Sequence, residues 1–340
     1  MVTVSIIVPC RNEEKHIRPF LDCLLAQVAP GGQAHEFLIS DGMSNDGTRE
    51  ILREYQTRFP SLQIVDNPRQ IVSTALNAGI TNSHGEIVVR MDVHSEYAPN
   101  YIEQCVRALN ESGADNVGGP AIAAGNTYMQ RAISAAYRSP FGCGGARFHD
   151  PSYEGFVDTV PYGCWRKATL EKLGLFDEML VRNQDDELNF RLVLNGGKIW
   201  QTPRIQSWYR PRSSLKALAK QYAQYGYWKV FVMRKHKMPA SLRQLVPPGF
   251  ALSLIALTAT TPFFPLARLL LGLLLVLYFL ASTTAAILAC RQPNERSCTP
   301  ILPLVFLVYH LSYGLGFLRG LIDVFFLRRG PAQSFSALVR

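Results

Sequence analysis

The stretch Val88–Tyr97, "VVRMDVHSEY", is a β-branched apolar run that stops at an acid, Asp92, with an imidazole two residues on at His94. On an extended chain, alternation returns those two side chains to one face. A carboxylate and an imidazole held together can ligate a divalent cation, and the imidazole admits Mn2+ as well as Mg2+. A second acidic stretch, "RNQDDELNFRL", sets Asp185, Asp186 and Glu187 at the start of a predicted helix. A carboxylate there can take a proton from a reacting hydroxyl, although its plainer role is to complement the helix dipole. A third stretch, "SDGMSNDGT", carries Asp41 and Asp46, the latter with Gly47 suited to a turn and the cap of the next helix.

The elements that must position these residues alternate in type. "TVSIIVP" reads as a buried strand, and the next segment puts Ile17, Phe20 or Leu21, Leu24 or Leu25, and Val28 on one helical face, with Asn12 as the expected N-cap. "EFLIS", "LQIVD" and "EIVVRMD" read as further strands, separated by helices through Ile51–Phe59 and "STALNAGITNS". Such alternation predicts a parallel sheet with helices on both faces. Ligands of such sheets bind beyond the carboxyl ends of the strands, where "PCRNEE", "SDGMSNDGT", "DNPR" and "MDVH" fall.

The rest of the chain changes character. Residues 246–340 hold seven Arg, no Lys, and only Glu295 and Asp323 as acids, around uncharged runs from Leu269 to Cys290 and from Thr299 to Leu318. Each run is about the ~20 residues that cross a bilayer as a helix. Gly249–Thr261 is a shorter third candidate between prolines, so two or three spans are expected. The net charge of +9 is concentrated before them: Arg204–Arg243 carries ten Lys or Arg, no acid, and an aromatic series that includes Trp208, Tyr222, Tyr225 and Trp228. Beside membrane spans, this composition fits an anionic lipid surface rather than nucleic acid. "MVTVSIIVP" lacks a basic start and is too short for a signal h-region, so the N-terminal part is expected in the cytoplasm. With three spans, that orientation puts Arg328 and Arg329 outside, against the positive-inside tendency. The seven Cys have no C-x-x-C spacing, so neither a zinc site nor a disulfide scaffold is indicated.

Taken in order, "IIVPCRNEE", "ISDGMSNDGT", "MDVH" and "GLFDEML" with "QDDELNFRL" resemble the inverting glycosyltransferases of family 2, and among them the membrane-attached, succinoglycan-biosynthesis, ExoA-like type. The resemblance spans roughly residues 4 to 230 and implies a GT-A, Rossmann-like α/β head followed by transmembrane helices. The implied map is a catalytic domain over 1–203, basic aromatic interfacial helices over 204–245, a transmembrane region over 246–327 and a basic tail over 328–340.

The same resemblance assigns roles. Pro9, Asn12, Glu13, Asp41 and Asp92 would bind the donor nucleotide, with Ser40 where the family often has a further acid. Asp92 and His94 would hold Mg2+ or Mn2+ in a D-x-H variant of the usual D-x-D, and the cation would neutralise a departing diphosphate. Asp185, preceded by Gln184 where the family has Glu, would be the base, with Asp186 as the alternative. Gly163, Cys164 and Trp165 would floor the acceptor site, Trp165 by stacking on a sugar. Gln224 and Trp228 loosely match the Q-x-x-R-W motif of processive synthases, but the Arg is missing, which implies addition of a single sugar. The implied reaction moves a sugar, as from UDP-glucose, to a polyprenyl-diphosphate oligosaccharide at the inner membrane, alongside other exopolysaccharide-assembly proteins. A processive synthase, a polyprenyl-phosphate sugar transferase and a catalytically silent scaffold are the alternatives.

Overall fold

In the computed structural model, which describes residues 2–27, 34–293 and 295–336, eight strands form one sheet in the order β3-β2-β1-β4-β9-β6-β10-β8. Its first half is β1 (Val2–Cys10), β2 (Ala34–Asp41), β3 (Leu62–Asp66) and β4 (Ile87–Arg90), all parallel. Helices α1 (Ile17–Leu25), α2 (Thr48–Arg58) and α3 (Val72–Asn82) make the crossovers. Alternation along the strands sorts two cores. Val4, Ile6, Val8, Ile39 and Val89 face α1 and α2, while Ile7, Leu38 and Val88 face Leu76 and Ile80 of α3. Strands covered on both faces explain the near-continuous apolar runs.

The chain then adds β5 (Ser95–Tyr97), α4 (Tyr101–Ser112), β6 (Asn116–Gly118), β7 (Ile122–Ala123), α5 (Tyr128–Arg138), α6 (Pro140–Cys143) and β8 (Gly155–Val157). After these come β9 (Cys164–Arg166), α7 (Lys167–Leu173), α8 (Gln184–Leu194), β10 (Ile199–Gln201) and β11 (Ser207–Tyr209). The sheet is mixed rather than wholly parallel. β9 follows β8 through the loop 158–163 instead of a helical crossover, and it runs antiparallel between β4 and β6. Three-residue strands are too short to show a period, so this half was invisible to pattern reading. Asn12 is not the cap of α1: it lies in the left-handed region (φ 52°), a turn follows, and His16 holds the cap position. Val28 lies outside the described residues.

Two compact units divide the chain: Met1–Ile122 with Arg147–Tyr209, and Ala123–Ala146 with Arg210–Arg340. A contiguous domain over 1–203 therefore does not describe the fold, because 123–146 belongs with the C-terminal helices. That second unit contains α9 (Leu215–His236), α10 (Val246–Thr260), α11 (Pro265–Ala289) and α12 (Leu302–Leu321). Among the described residues, three helical stretches are long and apolar enough to cross a membrane: Leu242–Thr260, Pro265–Ala289 and Arg296–Phe326. The short third candidate is thus part of a full helix. On α11, Leu269 and Phe279 are 68% and 63% exposed, apolar surface that lipid can cover. Residues 337–340 of the expected basic tail lie outside the described residues.

The basic aromatic segment is chiefly one helix, α9, and it packs on α12 backbone to backbone. A Cβ on Gly226 would come 2.0 Å from the Tyr313 carbonyl, and one on Gly316 would come 2.0 Å from that of Ala223. Close approach through small residues is how helices associate where no water drives them together. Asp323, 2% exposed, is held at this contact by Arg319 (3.1 Å) and by the Tyr227 hydroxyl, which donates to it at 2.9 Å. All seven cysteines are free thiols. Replacing Gly226 or Gly316 by Ala is expected to lower unfolding free energy by about 1–3 kcal/mol through overpacking. Gly272→Ala, in open space on α11, serves as the control in thermal unfolding of the detergent-solubilised protein.

Candidate active site

Strands β1 and β4 lie side by side and parallel, and the strand order reverses between them. Ile7 pairs with Arg90, and Met91 N donates to Ile7 O at 3.1 Å. Such a switch point opens a crevice beyond the strand ends, here flanked by the loops after Cys10 and after Arg90. The first loop is clamped by the turn after β2. Asn12 N donates to Ser44 Oγ (2.7 Å), Asn45 N to Asn12 Oδ1 (2.9 Å), and Glu13 N to Thr48 Oγ1 (2.7 Å). Asp46 accepts from Thr48 N at 3.1 Å, the capping role expected of it.

Asp41 is fully buried, with its oxygens engaged by Ser44 N and by Arg49, 3.2 Å away. Arg49 continues to Asp66 at 2.7 Å, whose side chain is 60% exposed. The carboxylate presented to solvent at this end of the crevice is therefore Asp66. Asp41, expected to meet the donor base directly, instead holds Arg49. Pro9 lies one step inside the strand end, paired with Ser40.

Asp92 and His94 do not lie on an extended strand. β4 ends at Arg90 and the chain turns, so the alternation assumed for an extended strand does not reach them. Asp92 folds back to accept His94 N at 3.1 Å, and its own N–H donates to the Tyr97 hydroxyl at 2.7 Å. The His94 ring instead places Nε2 3.0 Å from Glu13 Oε1, with the His16 ring 5.2 Å away, edge-on. One ligand atom each from Glu13, His16 and His94 falls within 4.8 Å of the others. One carboxylate and two imidazoles fit a borderline divalent cation. Burial pushes the Cys10 thiol well up, and Asp41, Glu13, Asp46 and Asp92 add to the effect, so four carboxylates bear on this spot.

Across the crevice, α8 begins after Asn183, itself left-handed (φ 61°). Asp185 Oδ2 lies 3.7 Å from Arg90 Nη1. Arg90 is 5% exposed, its guanidinium stands 5.9 Å from the Tyr162 ring centre, and its Nε and Nη1 are buried without a hydrogen-bond partner among the described residues. The Tyr162 phenol is pushed up by burial and then by Asp92, with Ser95 and Arg90 opposing and Asp185 adding. The charges of Asp92, Arg90 and Asp185 all bear on this phenol, whose hydroxyl meets Ser95 Oγ. Asp186 N donates to Asp185 Oδ1 at 3.0 Å, which fixes that carboxylate further. Glu187 is fully buried and bound by Arg191 at 2.7 Å, so it is structural.

The expected acceptor residues are dispersed. Trp165 is 2% exposed, packed in the core beside Phe176, and Cys164 is wholly buried in β9. Neither presents a face to a sugar. Gly163 (φ 98°) is required because a Cβ would meet the Trp165 ring at 2.3 Å. Gln224 and Trp228, each 1% exposed, belong to the interior of the second unit, where Trp228 Nε1 donates to Phe335 O at 2.9 Å. Residues missed from sequence are His16, Arg90, Tyr97 and Tyr162. Arg90 carried a signal, a lone charge inside a β-branched strand, since an Arg is almost never buried unless paired.

A sheet of this order, with acids gathered at its switch point and apolar helices after it, defines a GT-A-type nucleotide-diphospho-sugar transferase head with a C-terminal membrane region. Residues 5–155 match Glycosyl transferase family 2. The chain is 30% identical over 327 residues to the succinoglycan biosynthesis protein ExoA of Rhizobium meliloti (strain 1021), covering 94% of each. It is also 30% identical over 330 residues to the dolichyl N-acetyl-alpha-D-glucosaminyl phosphate 3-beta-D-2,3-diacetamido-2,3-dideoxy-beta-D-glucuronosyltransferase of Methanococcus voltae, covering 94% of this chain and 97% of that one. The mannosyltransferase PcManGT of Pyrobaculum calidifontis, solved with GDP-Man and Mn2+, shares the fold at TM-score 0.61 and 18% identity, over 94% of this chain and 87% of that one. The chain belongs to glycosyltransferase family 2, with ExoA-like relatives, and is a glycosyltransferase of polysaccharide or lipid-linked glycan biosynthesis.

Because Trp165 is core, Trp165→Ala is expected to cost about 3–5 kcal/mol of stability. Thermal unfolding checks this; a variant that melts like wild type but needs more acceptor would return Trp165 to the acceptor site.

Proposed function

We propose that this chain transfers a sugar from a UDP-sugar, UDP-glucose or a close relative, to a polyprenyl-diphosphate oligosaccharide with inversion at the anomeric carbon. The observation that carries the reading is the 3.7 Å approach of Asp185 to Arg90, two residues before Asp92. It brings a helix-start carboxylate and the donor-side strand end to one point. Asp185 takes the proton of the acceptor hydroxyl as that oxygen attacks from the face opposite the leaving diphosphate. Arg90 orients Asp185 from beneath, and Asp186 fixes it through its backbone N–H. Pro9, Asn12 and Glu13 line the nucleotide side of the crevice, with Arg49 linking Asp41 to Asp66 there. A bound divalent cation would neutralise charge developing on the diphosphate.

The acceptor class rests on the methanogen relative, whose name specifies a dolichyl-linked acceptor and a β-linked product. The mannosyltransferase bound to GDP-Man and Mn2+ makes a divalent cation the natural companion of such a donor. A cytoplasmic crevice at the inner membrane would meet both substrates, one soluble and one anchored.

Membranes supplied with a panel of nucleotide sugars and lipid extracts, with and without chelator, test the reaction. Asp185→Asn is expected to lower kcat about 100- to 10,000-fold, the usual share of a general base, with little change in donor KM. Undiminished transfer by Asp185→Asn would remove it from the mechanism. Arg90→Lys keeps the charge but not the geometry, and is expected to lower kcat by up to about 100-fold. NMR of the product should show a β-linkage from an α-linked donor; a retained α-linkage would exclude inversion.

A further inference from the structure

We propose that Glu13, His16 and His94 form the protein's divalent-cation site, holding the ion from the β1–α1 turn rather than through Asp92. This deepens the sugar-transfer reading by naming the ion's protein ligands, but the geometry stands without it. Glu13 and His94, 81 positions apart in sequence, meet at 3.0 Å across the switch point. His16 closes the group, all three ligand atoms lying within 4.8 Å of one another. The His16 ring meets the His94 ring edge-on, with centres 5.2 Å apart.

A simple ion pair of Glu13 with protonated His94 accounts for two members and leaves His16 unexplained. Asp41 is met by Arg49, whereas Asp92 and Asp46 accept from backbone N–H groups and a hydroxyl. A cation among Glu13 and the two imidazoles would add positive charge beside these carboxylates. Glu13 is 8% exposed, and its backbone N–H donates to Thr48 Oγ1, which anchors the turn that carries its carboxylate. Asp92 accepts the His94 N–H through Oδ1 and is not a member of the group within 4.8 Å.

The donor chemistry predicts which ion. Mg2+ prefers oxygen ligands and keeps its waters, whereas imidazole suits Zn2+, Fe2+ and Ni2+, and the carboxylate with open water positions also admits Mn2+. Three protein donors leave the other positions for water or for phosphate oxygens. Binding would tie the β1–α1 turn to the end of β4, the two sides of the crevice.

The test uses the full chain in detergent micelles, titrated with Mn2+ and followed by EPR, with electron spin echo modulation to count coupled nitrogens. Two imidazole nitrogens are expected in wild type. His16→Ala, at an exposed position and checked by thermal melting, should leave one and weaken Mn2+ binding by at least about tenfold. Glu13→Gln should weaken it similarly while both nitrogens remain. Asp92→Asn should keep both nitrogens. Wild-type modulation without nitrogen, His16→Ala binding as wild type does, or loss of nitrogen in Asp92→Asn would each overturn the assignment. Binding as expected with no sugar transfer from any donor would refute the reaction and leave the site standing. Transfer with an unaltered Mn2+ signal in His16→Ala would do the reverse.

Discussion

Parallel pairing of β1 with β4 is the constraint on which the rest of the crevice depends. The ladder bond from Met91 N to Ile7 O carries the two chains in step to their ends, and both ends then release polar loops at one place. Everything that bears on a substrate is referred to that register. Glu13 and His16 come from one loop, Asp92 and His94 from the other, and Arg90 is the last residue of the strand itself. A slip of one residue would turn Arg90 to the opposite face of the sheet. Burial on both faces is what forbids the slip.

Much of the first half of the fold was legible because its strands are long enough to show continuous apolar runs and its helices long enough to show one face. The crossovers, the strand-end loops and the acids in them followed from that. Errors arose where a period was carried past its element. Asp92 and His94 were paired by strand alternation, yet β4 ends two residues earlier and the chain turns. Trp165 was placed at a sugar by the family resemblance of its segment, but that segment is a central strand too short to announce itself. Gln224 and Trp228 sit on the inner side of α9, where a helix partner invisible in the local sequence covers them.

The residues that sequence reasoning passed over share one property: they act through partners far along the chain. His16 matters because His94 is beside it, and Tyr162 because the charges of Asp92, Arg90 and Asp185 bear on its phenol. Several crevice residues that are not glycine occupy left-handed backbone, among them Asn12, Tyr162 and Asn183. Such conformations are held only when surrounding contacts over-determine them. Here the clamps are visible: the Ser44 and Asn45 bonds to Asn12, and the Ser95 hydroxyl against Tyr162.

The excursion of residues 123–146 into the helical unit bears on how the protein can be handled. Within that unit, Phe141 packs on Phe306 with ring centres 5.1 Å apart, and the Tyr309 hydroxyl donates to Ile133 O at 3.3 Å. Both partners lie on α12, near the far end of the chain. Cutting before α9 to obtain a water-soluble fragment would strip α5 and α6 of their cover while leaving them in the middle of the catalytic sequence. Their apolar faces would then meet solvent in the fragment. The boundary between enzyme and anchor is not a point on this chain, and truncation is the wrong tool for separating them.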